Sequence, residues 1–458
     1  MCVVAVVKFC DNSREILLRE HFGLMTIWIP NLNFEDELSG KSSKINLRTQ
    51  SAIDDLAPLM GLMAEAGDAV LVHVDAIPEG VPECLNHVRF QTRSQPMSQT
   101  VLRSVLVNPW GWSQDAAGIA AGFGMSADSI PNVEAVTHVN SRQFSSNFDA
   151  VITDSPQLLP FGDEHFGRMC DTMDACHTAV AQMIAVGFQR WVAKPQVSNA
   201  GRNRLLVTGS DLNDQQCGWL AKQLDKGGVY LEPWTQPTAE HGLQFHVRRL
   251  QPALSVYAAG SANETGTELI EFIGATRLVN DDVGRYQGSL IGSDNVLQAE
   301  CAESIKYGFR VCAAAQSAGY FGPIGIDSYR FRDASGKTAI RLCNDVNSRF
   351  TMGRLALHLR PLLREKKYGL WCQVSISPHF NRSKTNNSAS LQEVISTMQK
   401  LLTMRGENDV FIERISPVSV GGRPVQTSTV LLTGKSPEQL LNCNTAFRRQ
   451  TQSSAIRG

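Results

Sequence analysis

The segment 322–353 constrains the fold and the chemistry of this chain more than any other part of it. Its sequence, GPIGIDSYRFRDASGKTAIRLCNDVNSRFTMG, predicts two antiparallel strands joined by a polar, glycine-containing turn. Asp345, Asn347 and Arg349 alternate along the second strand, so we expect their side chains to project from one face. Asp327 near the end of the apolar first strand is expected to lie opposite them.

These side chains predict a site for a hard cation and phosphate. Carboxylate and carboxamide oxygens suit Mg²⁺, which proteins hold through one or two groups together with nucleotide phosphates. Asp and Asn near strand ends also occur as turn formers and as solvated surface groups. The spacing alone therefore leaves both interpretations open, and the motifs upstream are needed to choose between them.

The bulk composition limits the class of protein. A chain of 458 residues exceeds what one compact core supports, which predicts two to four domains. A net charge of -1, with no long run of Lys or Arg, argues against a nucleic-acid or anionic-membrane binder. No run approaches the ~18 consecutive apolar residues of a membrane span. We expect no nucleic-acid partner and no membrane partner.

The cysteines indicate the compartment. The chain has 11 of them, an odd number, and no CxxC pair. A chain of this size does not need a disulfide framework, so reduced thiols and a cytoplasmic location are predicted. The first residues, MCVVAVVKFCDNSRE, lack the basic and long apolar regions of a secretory signal.

The pattern of apolar residues predicts an order of strands and helices. Up to about residue 130, short strands alternate with helical stretches, as in an open α/β sheet. No GxGxxG follows these strands, so a dinucleotide site is not expected there. The principal predicted elements are a helix at 54–66, strands at 69–75 and 104–107, a capped turn or helix at 139–145, a helix at 166–188, a strand at 190–195, a helix at 213–225, a strand at 229–234, a strand at 370–377, an exposed loop at 380–390, a helix at 391–404 and a strand at 427–432.

The order of the polar motifs resembles that of a known superfamily. The motifs are a basic residue near a helix start, a lysine at a strand end, a strand ending in Glu-Pro-Trp, and the paired strands with the Asp and Asp-x-Asn-x-Arg groups; their residues are Arg142, Lys194, Glu232, Asp327, Asp345, Asn347 and Arg349. In this order they resemble the ATP-grasp superfamily, whose ligases activate a carboxylate with ATP. The resemblance covers roughly residues 130–365, about half of the chain.

The resemblance implies a fold of α/β and α+β class. A Rossmann-like pre-ATP-grasp domain is expected at 1–130 and a two-lobed ATP-grasp domain at 131–365, with lobes at about 131–230 and 231–365. A small C-terminal α+β region is expected at 366–458. No motif assigns a role to this last region, which we expect to shape the acceptor site.

The resemblance also implies where the nucleotide binds. Arg142 and Lys194 match the two basic residues that hold the phosphates, where positive charge stabilises phosphoryl transfer. Arg202, in the loop after Lys194, is expected to add charge to a phosphate-covering lid. Glu232 matches the hinge strand whose backbone contacts adenine, and Glu240 matches a carboxylate that binds the ribose hydroxyls.

The remaining matches concern the metal and the reacting groups. Asp327, Asp345 and Asn347 match the metal ligands, for Mg²⁺ or for Mn²⁺ as a substitute. Arg349 matches an arginine that contacts the substrate or the reacting phosphate, and with Lys194 it is the predicted catalytic pair. Two departures stand out: Asp345 replaces the usual glutamate, and the lid loop has a single glycine, Gly201.

The resemblance implies an ATP-dependent carboxylate–amine ligase that forms an acyl phosphate and then an amide or peptide bond. Its partners would be a small carboxylate and an amine, such as an amino acid or a peptide, and by analogy a second copy in a homodimer. Two alternatives stay open. One is a kinase-like member that phosphorylates a hydroxyl, and the other is a catalytically weakened nucleotide-binding regulatory protein.

Overall fold

The computed structural model of this chain describes residues 25–40, 46–73, 75–92, 105–162, 165–197, 203–250, 269–281, 284–292, 296–333, 335–363, 365–375 and 387–456. In chain order, its strands are β1 (Met25–Ile29), β2 (Ala69–Val72), β3 (Pro78–Glu79), β4 (Arg89–Thr92), β5 (Val105–Pro109), β6 (Val151–Ile152), β7 (Arg168–Cys170), β8 (Arg190–Pro195), β9 (Leu205–Thr208), β10 (Val229–Pro233), β11 (Pro237–Val247), β12 (Ile270–Asn280), β13 (Tyr286–Gly292), β14 (Gly322–Arg332), β15 (Thr338–Asn347), β16 (Tyr368–Ser375), β17 (Phe411–Arg414), β18 (Ser419–Val420), β19 (Arg423–Pro424) and β20 (Thr427–Gly434).

The α-helices within these ranges are α1 (Phe34–Leu38), α2 (Leu47–Leu56), α3 (Gln114–Gly122), α4 (Val133–Val139), α5 (Arg142–Ser146), α6 (Met173–Ala185), α7 (Asp214–Leu224), α8 (Val296–Glu300), α9 (Ala302–Ser317), α10 (Met352–Leu357), α11 (Asn387–Met404) and α12 (Pro437–Ile456). Short 3₁₀ helices occupy Ala57–Met63, Glu83–Leu85, Ala127–Ser129, Pro156–Leu158 and Arg360–Leu363. No helix in the described part of the chain is both long and apolar enough to cross a membrane.

The N-terminal part forms a four-stranded sheet in the order β4-β2-β1-β5. Every pairing in it is parallel. Strand β2 is buried along its whole length, as expected when both faces of a parallel sheet are covered. The open α/β sheet predicted for this part of the chain is confirmed.

Two antiparallel sheets follow. The smaller one has the order β7-β10-β8-β9, and helices α6 and α7 contribute to its core. The larger one has nine strands in the order β17-β20-β16-β13-β12-β11-β14-β15-β6. A parallel sheet, a small antiparallel lobe and a large antiparallel lobe together are the α/β and α+β architecture that the resemblance predicted.

The C-terminal strands β16, β17 and β20 belong to the same large sheet as the central strands, because β16 pairs with β13. Strand β18 pairs with β3 near the start of the chain, and β19 completes a three-stranded sheet. The C-terminal region is thus joined to both earlier parts by backbone hydrogen bonds. The domain borders placed at about residues 130 and 365 stay predictions.

Several predicted boundaries were wrong. The helix placed at 166–188 begins only at Met173, because strand β7 precedes it and pairs with β10. Thr172 caps that helix by accepting a hydrogen bond from the Ala175 N–H at 3.2 Å. The helix placed at 54–66 ends at Leu56 and continues as a 3₁₀ helix with a proline in its first turn.

Other boundaries shift by smaller amounts. The strand placed at 69–75 ends at Val72, and that placed at 370–377 runs over Tyr368–Ser375. The predicted loop at 380–390 lies largely outside the described residues, and helix α11 already begins at Asn387. The predicted strands at 190–195 and 229–234, which carry the motif residues Lys194 and Glu232, are confirmed.

Two helical glycines offer a matched test of packing in the large lobe. A Cβ atom at Gly308 of α9 would lie 2.6 Å from the Phe245 ring, which is fully buried. Gly308→Ala is therefore expected to lower the free energy of unfolding by about 1–2 kcal/mol, because overpacking outweighs the better helix propensity of alanine. Urea denaturation measures the change.

The control is Gly218 of α7, where a Cβ atom would meet nothing within 4 Å. Gly218→Ala is expected to leave stability unchanged or to raise it by up to about 1 kcal/mol. Equal effects of the two substitutions would contradict the close contact between α9 and β11.

Candidate active site

A cleft of about 510 Å³ lies between the small antiparallel sheet and the large one. Every predicted site residue that the structure describes lines it: Arg142, Lys194, Glu232, Glu240, Asp327, Asp345, Asn347 and Arg349. These residues are separated by up to about 200 positions in sequence, so the fold has brought the motifs together. The predicted lid residues Gly201 and Arg202 lie outside the described residues.

The predicted hairpin of β14 and β15 forms the floor of the cleft. Asp327 pairs with Asp345 across the two strands, and Gly325 pairs with Asn347. The register shifts between Asp327 and Tyr329, so that β15 bulges. Asn344 and Asp345 lie at this bulge, and both line the cleft.

The charges at this floor favour a cation. Burial, together with the nearby carboxylate of Asp345, raises the pKa of Asp327 to about 7. The Asn347 side-chain amide donates to Asp327 Oδ2 at 3.5 Å, and Arg142 Nη1 lies 2.6 Å from Asp345 Oδ1. Two carboxylates and one carboxamide fit Mg²⁺, since they leave coordination positions for water and phosphate oxygens.

A buried chain of ion pairs lies beside the floor. Lys194 Nζ forms an ion pair with Glu232 Oε1, and the other carboxylate oxygen, Oε2, accepts from Arg341 Nη1 at 2.7 Å. Arg341 Nε donates to Asp149 Oδ1 at 2.7 Å. The Arg341 and Asp149 side chains are each 1% exposed. Buried charges of this kind persist because each is paired and hydrogen-bonded.

Neutral groups complete the surroundings of Arg341. Its guanidinium donates to Asn344 Oδ1 at 2.7 Å and to the hydroxyls of Tyr230 and Tyr329 at 2.9 and 3.2 Å. The Tyr230 hydroxyl in turn donates to Asp149. Since Tyr230 is on β10 of the small sheet and Arg341 is on β15 of the large one, this network joins the two lobes.

The same chain of charges sets the ionisation of the lysine and the glutamate. Burial alone would raise the pKa of Glu232, but Arg341 and Lys194 outweigh it and lower this pKa to about 2. Burial lowers the pKa of Lys194, and Glu232 opposes that shift. The Glu232 carboxylate thus stabilises the positive charge of Lys194 at the strand end where the phosphates are expected.

The opposite end of the cleft is lined by residues from both lobes. Glu240 accepts a hydrogen bond from the Asn280 amide at 2.9 Å, and burial raises the pKa of Glu240. The Arg204 guanidinium stacks over the Trp234 ring at 5.0 Å. A planar arginine–tryptophan pair next to a carboxylate offers both a stacking surface and a hydrogen-bond acceptor, which suits a nucleoside.

Arg349 is held by the N-terminal part of the chain. Its Nε forms an ion pair with Glu35 of α1, which is 4% exposed, and its Nη2 donates to Asn347 Oδ1 at 3.0 Å. Its guanidinium also lies 5.7 Å from the centre of the Trp110 ring. The side chain thus has a fixed position at the cleft wall, and its predicted contact with substrate stays a prediction.

The sequence interpretation missed Arg341 and its partners. The available signal was an arginine inside the apolar run of β15, between Ile340 and Leu342, because a charge in a buried strand needs an anionic partner. The partners Asp149 and Glu232 lie 192 and 109 positions away, and nothing in the sequence connects them to it.

Comparison with known proteins gives structural neighbours only. No protein-family model matches the chain, and no curated protein matches it. The chain is similar to an ADP complex of N5-carboxyaminoimidazole ribonucleotide synthetase, with 10% identity and a TM-score of 0.46, over 93% of this chain and 96% of that one. An Aspergillus clavatus synthase in complex with ADP and 5-aminoimidazole ribonucleotide gives 11% identity and 0.46, over 94% and 99%.

A third similar structure is the biotin carboxylase domain of the Hydrogenobacter thermophilus 2-oxoglutarate carboxylase, solved with MgADP and bicarbonate. Its identity is 8% and its TM-score 0.42, over 89% of this chain and 86% of that one. Because these TM-scores lie below 0.5, a functional assignment depends on the geometry of the cleft itself.

Arg341→Met tests the buried network. The substitution leaves Asp149 and Glu232 without their shared cation, so the free energy of unfolding is expected to fall by about 3–5 kcal/mol. Urea denaturation measures this change. Arg405→Met is the control, because Arg405 is exposed in the turn that follows helix α11. A loss below about 1 kcal/mol would show that the network does not join the lobes.

The low pKa of Glu232 predicts a pH dependence. A carboxyl whose folded pKa is lowered from 4.5 to about 2 contributes stability that is present above pH 4.5 and is lost as the pH falls towards 2. Between pH 5 and pH 3, wild type is expected to lose about 2 kcal/mol more than Glu232→Gln. Parallel stability curves for the two proteins over that range would contradict the assignment.

Proposed function

We propose that this protein is an ATP- and Mg²⁺-dependent ligase that activates a carboxylate as an acyl phosphate and joins it to an amine. One observation carries the proposal. The carboxylates of Asp327 and Asp345, paired across two strands, share a single cleft with the buried cations Lys194 and Arg142. An oxygen-ligand pair beside two cations is the combination that phosphoryl transfer requires.

The residues divide the work of binding. Lys194 and Arg142 hold the phosphates, and Glu232 fixes the position of the Lys194 ammonium. Asp327, Asp345 and Asn347 would hold Mg²⁺ or Mn²⁺, which supplies charge neutralisation at the phosphate oxygens when bound. Glu240, with the backbone next to Glu232 and the Arg204–Trp234 stack, would bind the nucleoside.

The reaction then has two steps. A carboxylate oxygen of the substrate attacks the γ-phosphorus of ATP, the bond to the β-phosphate oxygen breaks, and ADP leaves with that electron pair. An amine nitrogen next attacks the acyl carbon, the C–O bond to phosphate breaks, and the ammonium proton is lost to give an amide. Lys194 and Arg142 neutralise negative charge in the first step, and we assign Arg349 to stabilising the oxyanion of the second.

Exclusion of water is needed because water also hydrolyses an acyl phosphate. The loop that contains Gly201 and Arg202 follows Lys194 directly and is our candidate for the covering lid. The acid and the amine are small molecules in this proposal, and an amino acid or a peptide fits either role. A cytoplasmic location, consistent with the free described cysteines, and a homodimer are part of the same proposal.

A screen for ADP release tests the proposal. Purified protein is incubated with ATP, Mg²⁺ and pairs of carboxylates and amines, and the product is detected by mass. Hydroxylamine is expected to trap the acyl phosphate as a hydroxamate, whereas a kinase-like enzyme that phosphorylates a hydroxyl gives none. A rise in melting temperature with ATP but no turnover with any pair would instead favour the nucleotide-binding regulatory protein.

Lys194→Met and Asp345→Asn are each expected to lower kcat/KM by about 10²-fold or more, because each removes charge that stabilises the transferring phosphoryl group. Lys222→Met and Asp225→Asn are matched controls, since both residues are exposed on or just after helix α7 of the same lobe. Unchanged turnover in Asp345→Asn would show that the metal assignment is wrong.

A further inference from the structure

A second group of basic side chains lies around helix α10 and the end of β11, next to residues that line the cleft. Along β11, Glu240, Gly242 and Gln244 line the cleft, and His246 is the next residue on that face. Gly242 is the residue opposite Asp327. At about 3.3 Å per residue, His246 lies roughly 13 Å along the strand from the row of Asp327.

The chain that leaves the metal hairpin adds two arginines to this group. Gly353 lines the cleft, and Arg354 follows it on α10, while Arg360 is on the 3₁₀ helix Arg360–Leu363. Helix α10 is seated on the sheet, because Thr351 Oγ1 at its N-cap donates to Gln244 Oε1 at 2.7 Å. A Cβ atom at Gly274, the residue opposite Gln244, would lie 3.1 Å from Arg360 Nη2.

The electrostatic environment of this group is strongly positive. We call His246, Arg354, His358 and Arg360 the Arg354 cluster. Burial and then the charge of Arg354 lower the pKa of His246 to about 4, while His358, which is exposed, lies close to the charges of Arg354 and Arg360. The acidic neighbour of Arg354 is Glu271, whose carboxylate lies 3.6 Å from Arg248.

Three guanidinium nitrogens of the cluster lack acceptors within the described ranges. Among the residues that the structure describes, Nε and Nη1 of Arg354 and Nε of Arg360 have no hydrogen-bond partner, and all three atoms are buried. In contrast, Arg341 and Arg349 of the cleft each bond to carboxylates. Buried N–H groups without acceptors are disfavoured, so the cluster has the donors of an oxyanion site without the oxyanion.

We infer that the Arg354 cluster binds a carboxylate or phosphate group of the substrate, at a distance from the group that reacts at the metal floor. The inference rests on the proposed function for the location of the reacting group. Arginine forks bind carboxylate and phosphate oxygens in pairs. The substrate class is therefore an extended molecule with a second anionic group, such as an acidic peptide or a phosphorylated compound.

Calorimetric titration of the full chain with inorganic phosphate, and separately with succinate, tests the site. Wild type is expected to bind one anion that excess ADP does not displace, because ADP occupies the Lys194 end of the cleft. Arg354→Met and Arg360→Met are each expected to weaken this binding at least 10-fold, and the exposed-residue control Arg405→Met less than 2-fold. Tighter binding of phosphate points to a phosphorylated substrate, and tighter binding of succinate to a carboxylate.

Melting temperatures separate the site from a purely structural role. Arg354→Met removes two buried nitrogen atoms that lack hydrogen-bond acceptors among the described residues, so without added anion it is expected to melt at the same temperature as wild type or higher. Phosphate or succinate is expected to raise the melting temperature of wild type and of Arg405→Met but not of Arg354→Met. Arg360→Met gives the same comparison if Arg354→Met does not fold.

Two results would overturn the inference. One is an equal anion response in wild type and both cluster variants, and the other is a wild-type protein that binds neither anion. Failure of the ligase proposal is distinguishable, since it appears as absent ADP release or absent ADP binding while anion binding at the cluster is still measured directly. Normal ADP release together with no anion effect overturns the cluster alone.

Discussion

The rest of the site depends on one buried carboxylate that serves two cations. Glu232 holds Lys194 with one oxygen and Arg341 with the other. Through Lys194 it fixes a charge at the phosphate end of the cleft, and through Arg341 it fixes the small lobe against the large sheet. Neither lobe alone would keep these charges buried, because each contributes only part of the counter-charge.

Other charged side chains of the cleft are also paired with opposite charges. Arg142 pairs with Asp345, and Arg349 pairs with Glu35. Each of these charges is held in place by its partner, so the cleft is electrostatically close to balance. Preorganised charges of this kind cost little reorganisation during a reaction. The Arg354 cluster differs, since three of its buried guanidinium nitrogens have no hydrogen-bond acceptor among the described residues.

Much of the site was predictable because its residues lie in short local patterns. The polar turn between β14 and β15 and the lysine before Pro195 are features of one turn or one strand, and each was interpreted correctly as to element. The strand predicted to carry Asp345, Asn347 and Arg349 is present, but it ends at Asn347, so Arg349 lies beyond it. What the sequence did not show depends on pairings between distant strands. The bulge at Asn344 and Asp345, and the contact of Arg341 with Asp149, arise only when β6, β14 and β15 are assembled. The late start of helix α6 also depends on a pairing between distant strands, because residues 168–170 form a strand that pairs with β10.

The order of strands in the large sheet has a consequence for synthesis of the protein. Strand β13 lies in the interior of the finished sheet, and its outer partner is β16, which is itself covered by β20 close to the C-terminal end of the sequence. During synthesis, the last residue of the cleft, Gly353, is made shortly before β16 and well before β20. In such a nascent chain, strand β13 lacks its outer partner and consists largely of residues that the finished sheet buries. Unpaired edges of this kind are prone to pair with other chains. Completion of the sheet by the last strands thus protects the strands that line the cleft.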